Sequence, residues 1–165
     1  MAEIVTHGFE PVYNKNSRVL VLGSLPSVKS RENGFYYGHP RNRFWLVLSK
    51  LFESELPLMV SEKTELLLKH RIAVFDVVRS CEIESTKDSS IKIIEANDIL
   101  PIVEGSNISK IFANGRTAER LYNRYILPET GIGITALPST SPANAAYSVD
   151  RLLDEWKIIK EEAVK

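Results

Sequence analysis

The sequence predicts an α/β fold built on a four-stranded, mostly parallel sheet with helices on both of its faces. Two observations predict it. Short apolar runs rich in β-branched residues show no polar alternation, as strands covered on both faces do. Helix-period segments separate those runs, so each strand is followed by a crossover long enough to bring the next one back parallel.

The four strands are residues 18–23 (Arg-Val-Leu-Val-Leu-Gly), 72–77 (Ile-Ala-Val-Phe-Asp-Val), 110–115 (Lys-Ile-Phe-Ala-Asn-Gly) and 133–137 (Gly-Ile-Thr-Ala-Leu). Residues 42–52 form a helix with Phe44, Leu48, Leu51 and Phe52 on one face. Residues 61–70 form a second, with Ser61 as N-cap and basic residues at the end where the helix dipole favours them. A third spans 91–103 and carries the Asn97-Asp98 pair, a fourth spans 117–125, and the last, 150–164, is amphipathic through Leu152, Leu153, Trp156 and Ile159. Right-handed crossovers stack these helices on the sheet. With no repeat, low-complexity tract or linker, residues 1–165 read as one domain.

Composition narrows the function classes. The 21 basic and 21 acidic side chains cancel, so any contact with a polyanion must come from a local basic rim. Cys81 is the single cysteine and no Cys/His cluster has metal-ligand spacing, so neither a disulfide, a metal nor a cofactor is expected. The first ten residues include Glu3 and His7 without a long apolar stretch, and nowhere do 18 apolar residues run together. No membrane is expected as a partner; a cytoplasmic protein is, nucleoid-associated if the source is prokaryotic.

Two long polar connections interrupt the α/β rhythm, residues 24–41 and 138–148. Both leave the carboxyl end of a strand, where open α/β sheets bind their ligands. The first contains Gly23-Ser-Leu-Pro-Ser-Val-Lys-Ser30 and Tyr36-Tyr-Gly-His-Pro-Arg-Asn-Arg-Phe-Trp45; the second, Leu137-Pro-Ser-Thr-Ser-Pro-Ala-Asn144. An enzyme that acts on an extruded nucleotide needs such parts: aromatic faces for the base, amides for its edge, and small donors for the flanking phosphates. Tyr36, Tyr37, Phe44 and Trp45 offer faces, Asn42 an amide, and Ser24, Ser27, Ser30, Ser139, Thr140 and Ser141 hydroxyls.

Plainer readings stand beside these. Phe44 and Trp45 open a helix and suit the core. Gly23 ends a strand, His39 before Pro40 suits a turn, and Ser139 to Ser141 can cap the final helix. Asp76 and Cys81 near a strand end have no histidine partner that the sequence predicts, so both read as structural.

Taken in order, the two loops, Phe75-Asp-Val-Val-Arg-Ser-Cys81, Asn97-Asp98 and Phe112-Ala-Asn-Gly115 with Ala118 resemble the DNA-deoxyinosine (hypoxanthine-DNA) glycosylases, a branch of the uracil-DNA glycosylase superfamily. The resemblance runs from Arg18 to Trp156. It implies a three-layer α/β/α sandwich, hydrolysis of the N-glycosidic bond of a deaminated base without a lyase step, no cofactor, and a monomer acting on double- or single-stranded DNA. Many uracil glycosylases carry a water-activating Asp or Asn where Leu25 stands here, and a base-contacting His or Asn at Leu137. Within the deoxyinosine branch the essential amide belongs to the His-Pro-Arg-Asn segment, which maps onto Asn42, the expected catalytic residue.

The remaining assignments follow the same resemblance. Gly23, Ser24, Leu25, Pro26, Tyr36, Tyr37, His39, Phe44, Asn114 and Ser139 are expected to bind the substrate base. Ser27, Lys29, Ser30, Arg41, Ser139, Thr140, Ser141, Pro142 and Asn144 are expected to hold DNA. Ser27 departs from the pattern, since many members have a second glycine there. The residues alone leave two questions open: whether Asn42 orients the water or the base, and whether the chain is instead a uracil or mismatch glycosylase or a non-catalytic nucleotide- or protein-binding module.

Overall fold

The computed structural model describes residues 3–83 and 91–165. Its strands are β1 (Glu3–Thr6), β2 (Val19–Gly23), β3 (Ile72–Asp76), β4 (Val78–Ile83), β5 (Ile91–Ala96), β6 (Lys110–Asn114) and β7 (Thr135–Leu137). The four expected strands form one sheet in the order β3-β2-β6-β7, and every neighbouring pair is parallel. All residues of β2 and β3 are buried. Successive side chains of a strand face opposite ways, so full burial requires cover on both faces.

The helices that give this cover are α1 (Val28–Asn33), α2 (Phe44–Leu51), α3 (Val60–Lys69), α4 (Leu100–Glu104), α5 (Arg116–Tyr125), α6 (Leu127–Thr130) and α7 (Val149–Ala163). Helix α3 packs on β3, α5 on β6 and β7, and α7 on β2 and α2. Trp156 of α7 lies at the centre of the core, where the Phe44 ring meets it edge-on at 5.9 Å. Its indole N–H donates to the Pro138 carbonyl at 2.9 Å, so the core also fixes the start of the second loop.

Three expectations change. Residues 91–103 are not one helix: 91–96 form β5, and the helix shrinks to α4. Ile91, Ile93 and Ile94 favour the pleated chain, and Pro101 suits the first turn of a new helix better than the interior of a longer one. Strand β5 belongs to a second sheet, three-stranded and antiparallel in the order β1-β4-β5, which the sequence pattern did not announce. Strand β4 starts two residues after β3 ends, and Asn97 closes that junction. Its amide donates to the Asp76 carbonyl at 2.8 Å and the Val78 carbonyl at 3.3 Å.

The other two changes concern helix starts. Ser61 lies inside α3 rather than capping it. The Glu62 carboxylate instead takes the Leu58 and Met59 amides at 3.1 and 2.9 Å. The first long loop also contains a helix, α1, with Ser27 as N-cap and Gly34 in the left-handed conformation at its end.

Candidate active site

Gly23, Asp76, Asn114 and Leu137 sit at the carboxyl ends of the four parallel strands. They floor a cleft of about 1120 Å³ whose walls are the two long loops. Fourteen of the expected site residues line it: Gly23, Ser24, Leu25, Pro26, Ser27, Ser30, Tyr36, Tyr37, Asn42, Asn114, Ser139, Thr140, Ser141 and Asn144. Sheet topology therefore brings together residues up to 121 positions apart in the chain, Gly23 and Asn144 among them.

The loops are joined to each other by a relay of amides and hydroxyls. The fully buried Thr140 donates through Oγ1 to Asn42 Oδ1 at 2.8 Å and accepts from Asn114 Nδ2 at 3.0 Å. Asn114 Oδ1 in turn takes the Thr140 amide at 3.0 Å. Asn42 Oδ1 also accepts the Phe44 amide at 2.9 Å. A backbone N–H only donates, so that bond fixes which end of the Asn42 amide is oxygen. Both lone pairs of Oδ1 are thus occupied, and Nδ2, for which no acceptor is found among the described residues, is left for the cleft. Asn42 is a donor here.

Arg43 reinforces the join. Its guanidinium donates to the carbonyls of Tyr147, Ser141 and Asn144, the latter two at 3.3 and 3.0 Å, and its amide to the Thr140 carbonyl at 3.0 Å. The second loop is held further by Ser139 Oγ accepting the Ser141 amide and Asn144 Nδ2 donating to the Ser139 carbonyl. Gly115, at φ +97°, lets Ser139 approach to where a Cβ would be 3.2 Å away. Thr140 and Asn144, expected to hold DNA, therefore also serve to fix the loop.

The aromatic residues divide. Tyr36 is buried, its hydroxyl bonded to the Glu10 carbonyl at 2.8 Å, so it packs more than it presents a face. The Tyr37 ring stacks on Phe44 at 4.0 Å, which places the wholly buried Phe44 behind the site rather than in it. The Tyr37 hydroxyl is buried and has no bond of good geometry, although the Asn114 amide lies near it. Burial, and then the Asp76 charge, raise its pKa far above the ordinary phenol value, so at neutral pH it is a donor.

Four expected residues stand away from the cleft. His39 Nδ1 accepts the Arg41 amide at 3.0 Å, a turn contact on the surface, and Arg41 itself is exposed. Lys29 pairs with Glu32 along α1 at 3.5 Å. Pro142 opens a single 3₁₀ turn capped by Ser141. Within the first loop the Ser30 hydroxyl is buried and accepts from Gly38 N and Ser27 Oγ, so it shapes the loop instead of facing solvent.

The reading of Asp76 needs correction, because it does have a histidine partner. His7, which follows β1, meets Asp76 Oδ2 through Nε2 at 2.9 Å, with side chains 3% and 4% exposed. Only the unforeseen second sheet delivers it: β1 pairs with β4, and the His7 amide bonds the Arg79 carbonyl at 2.6 Å. Arg31 and Arg116 also line the cleft unpredicted, one on α1 and one at the start of α5. No group of three or more metal-ligating side chains occurs among the described residues.

The model of the uracil DNA glycosylase superfamily matches residues 10–161. This chain belongs to that superfamily. Among its superfamily relatives is the hypoxanthine DNA glycosylase of Methanosarcina acetivorans, 35% identical over 158 residues that cover 94% of this chain and 98% of the relative. The hypoxanthine DNA glycosylase of Methanosarcina barkeri is 32% identical over 139 residues, covering 83% and 87%. A solution NMR structure of a Methanosarcina acetivorans protein, described as a uracil DNA glycosylase, superposes with a TM-score of 0.81 at 31% identity, covering 96% of this chain and 98% of that one. The superfamily fold is thus the one observed here, with the second sheet added beside β3.

Proposed function

We propose that this protein removes deaminated bases from DNA, hypoxanthine first, by hydrolysing the N-glycosidic bond. Two relatives of similar length bear the name hypoxanthine DNA glycosylase, which supports the choice of base. The observation that carries the mechanism is Asn42, whose carbonyl is saturated by Thr140 and Phe44 and whose N–H groups are left for the cleft. N-glycosidic cleavage places positive charge on the sugar and negative charge on the departing base. A fixed amide donor stabilises that developing anion, in a pocket whose dipoles need no reorganisation. Holding the attacking water through the Asn42 carbonyl fits the geometry less well, since no lone pair is left for it.

The flipped base lies against Tyr37, and its flanking phosphates lie along Ser139 and Ser141. Arg31 and Arg116 supply the local positive rim that a chain of zero net charge needs. The enzyme works as a monomer, on duplex or single-stranded DNA, in the reducing compartment that holds the DNA. The free thiol of Cys81 is buried and its pKa raised by that burial, which suits an inert structural role there.

Incubation with DNA carrying one deoxyinosine, followed by alkali, tests this reading. Strand breaks should appear only after alkali, since hydrolysis leaves an intact abasic site. DNA with no alkali-labile site after prolonged incubation would overturn it.

A further inference from the structure

Deamination changes one feature of a base edge in a uniform way. In adenine and cytosine the ring nitrogen beside the amino-bearing carbon is a hydrogen-bond acceptor. After deamination that nitrogen carries a proton and becomes a donor beside a new carbonyl. A group that can only accept therefore distinguishes the damaged base from its parent, and an ionised carboxylate is such a group.

We propose that Asp76, held by His7, is the base-selecting residue of this cleft. The proposal rests on the glycosylase reading above. The geometry has three parts. Asp76 closes the inner end of the cleft at the end of β3, and one of its carboxylate oxygens is already engaged: Oδ2 meets His7 Nε2 at 2.9 Å. Since an ionised carboxylate cannot donate, Nε2 carries the proton, and the bond sets the plane of the carboxylate.

The second part is Oδ1, which lies against Gly23, where a Cβ would come within 2.4 Å of it, and no donor among the described residues bonds it. A buried acceptor without a donor is costly unless a ligand supplies one. The third part is the Tyr37 hydroxyl, buried, unpartnered, and 3.1 Å from the same Cβ position. Acceptor and donor thus flank one point at the bottom of the cleft, which matches the N–H and C=O of a lactam edge. An adenine edge would set a lone pair against the carboxylate and an amino group against the hydroxyl.

Depth separates this role from activation of the water. Water must attack the sugar carbon, which stays nearer the mouth, whereas Asp76 is almost enclosed and is reached only by the inserted base. His7 is a positioning residue: it lies behind Asp76 and acts through it.

The test measures binding to DNA with one 2′-fluoro-deoxyinosine, one 2′-fluoro-deoxyadenosine or one tetrahydrofuran abasic analogue, none of which is hydrolysed. Asp76→Asn keeps the bond to His7 through its amide oxygen and turns an N–H₂ toward the cleft. Its preference for inosine over adenosine should fall by about tenfold or more, with affinity for the abasic analogue within about twofold of wild type. His7→Phe should lower the same preference and raise KM for deoxyinosine DNA more than it lowers kcat, and His7→Gln should recover part of both. Should Asp76→Asn fail to fold, the His7 pair decides the matter. An unchanged inosine-to-adenosine ratio in a folded Asp76→Asn protein, or a uniform fall in excision of hypoxanthine and uracil, would overturn the role of Asp76. Absence of hypoxanthine excision by the wild type would instead overturn the glycosylase reading itself.

Discussion

Thr140 donates to Asn42 across 2.8 Å, linking the loop after β2 to the loop after β7 at the residue expected to do the chemistry. The bond takes a lone pair from the Asn42 carbonyl, and so determines what the amide can offer a substrate. Asn42→Ala should lower single-turnover excision by two decades or more, about 3 kcal/mol of transition-state stabilisation. Unfolding should cost far less than that, since Asn42 otherwise caps one amide. Asn42→Asp separates the roles: a carboxylate keeps the acceptor for Thr140 but offers no donor and repels a departing anion. Near-complete loss is expected, and substantial retention would return the water-holding role to this residue.

Thr140→Val tests the relay without touching the substrate. It keeps the shape of the buried side chain but removes the donor to Asn42 and the acceptor for Asn114. An Asn42 carbonyl with a free lone pair can rotate or bind water. Excision should fall by about tenfold to a hundredfold, mainly in kcat, with a stability loss of about 1–3 kcal/mol for the unsatisfied amide. Single-turnover kinetics beside urea unfolding separates the two effects.

Arg43→Met should loosen the second loop. The guanidinium bonds three carbonyls of that loop, and hydrogen bonds from a charged group contribute about 1.5–3 kcal/mol each at most. Amide exchange over residues 138–148 should accelerate, and KM for DNA should rise more than kcat falls. Unchanged exchange in that loop would show that Trp156 alone fixes it.

Stability should depend on His70 in mildly acid solution. Burial, with Lys69 and Lys160 nearby, lowers the pKa of His70, whose ring stacks on Phe52 at 4.1 Å. The folded state therefore takes up the proton less readily than the unfolded chain. The penalty appears as pH falls through the unfolded value of about 6.5 and is complete below the folded one. His70→Phe keeps the stack without the charge, so its stability advantage over wild type should grow from pH 8 to pH 5. Parallel unfolding midpoints across that range would exclude the effect.

How much of this was legible in the sequence varies with the distance over which the signal acts. Buried parallel strands are legible because each is a run of apolar residues whose burial needs no knowledge of its neighbour, and all four were placed to within two residues. Asn42, Thr140 and Asn114 were legible as residue types in loops at strand ends. Their bonding was not, because it depends on which loops the sheet order brings together. The second sheet was hidden for a different reason. Strand β5 mixes Lys92 and Glu95 with isoleucines in a pattern that also suits a helix, and tertiary pairing with β4 decides the outcome. His7 was lost with it, since nothing local marks a histidine 69 positions from its carboxylate.

Gly23 gives the most direct test of how tightly the floor of the cleft is built. It ends β2 without a positive φ, so its backbone would accept any residue, and space alone demands glycine. An alanine Cβ would lie 2.4 Å from Asp76 Oδ1 and 3.1 Å from the Tyr37 hydroxyl. A flexible side chain could swing aside, but Asp76 is buried and bonded to His7, so relief requires breaking that bond or moving β2. Gly23→Ala should therefore cost about 1–3 kcal/mol of stability, the usual penalty for overpacking. The double variant Gly23→Ala with Asp76→Ala removes the obstructing carboxylate and should recover most of that loss in urea unfolding. It should not recover the preference for inosine over adenosine, because the acceptor has gone. A Gly23→Ala protein of wild-type stability would show that the Asp76 carboxylate is free to move, and would weaken the case that His7 holds it in place.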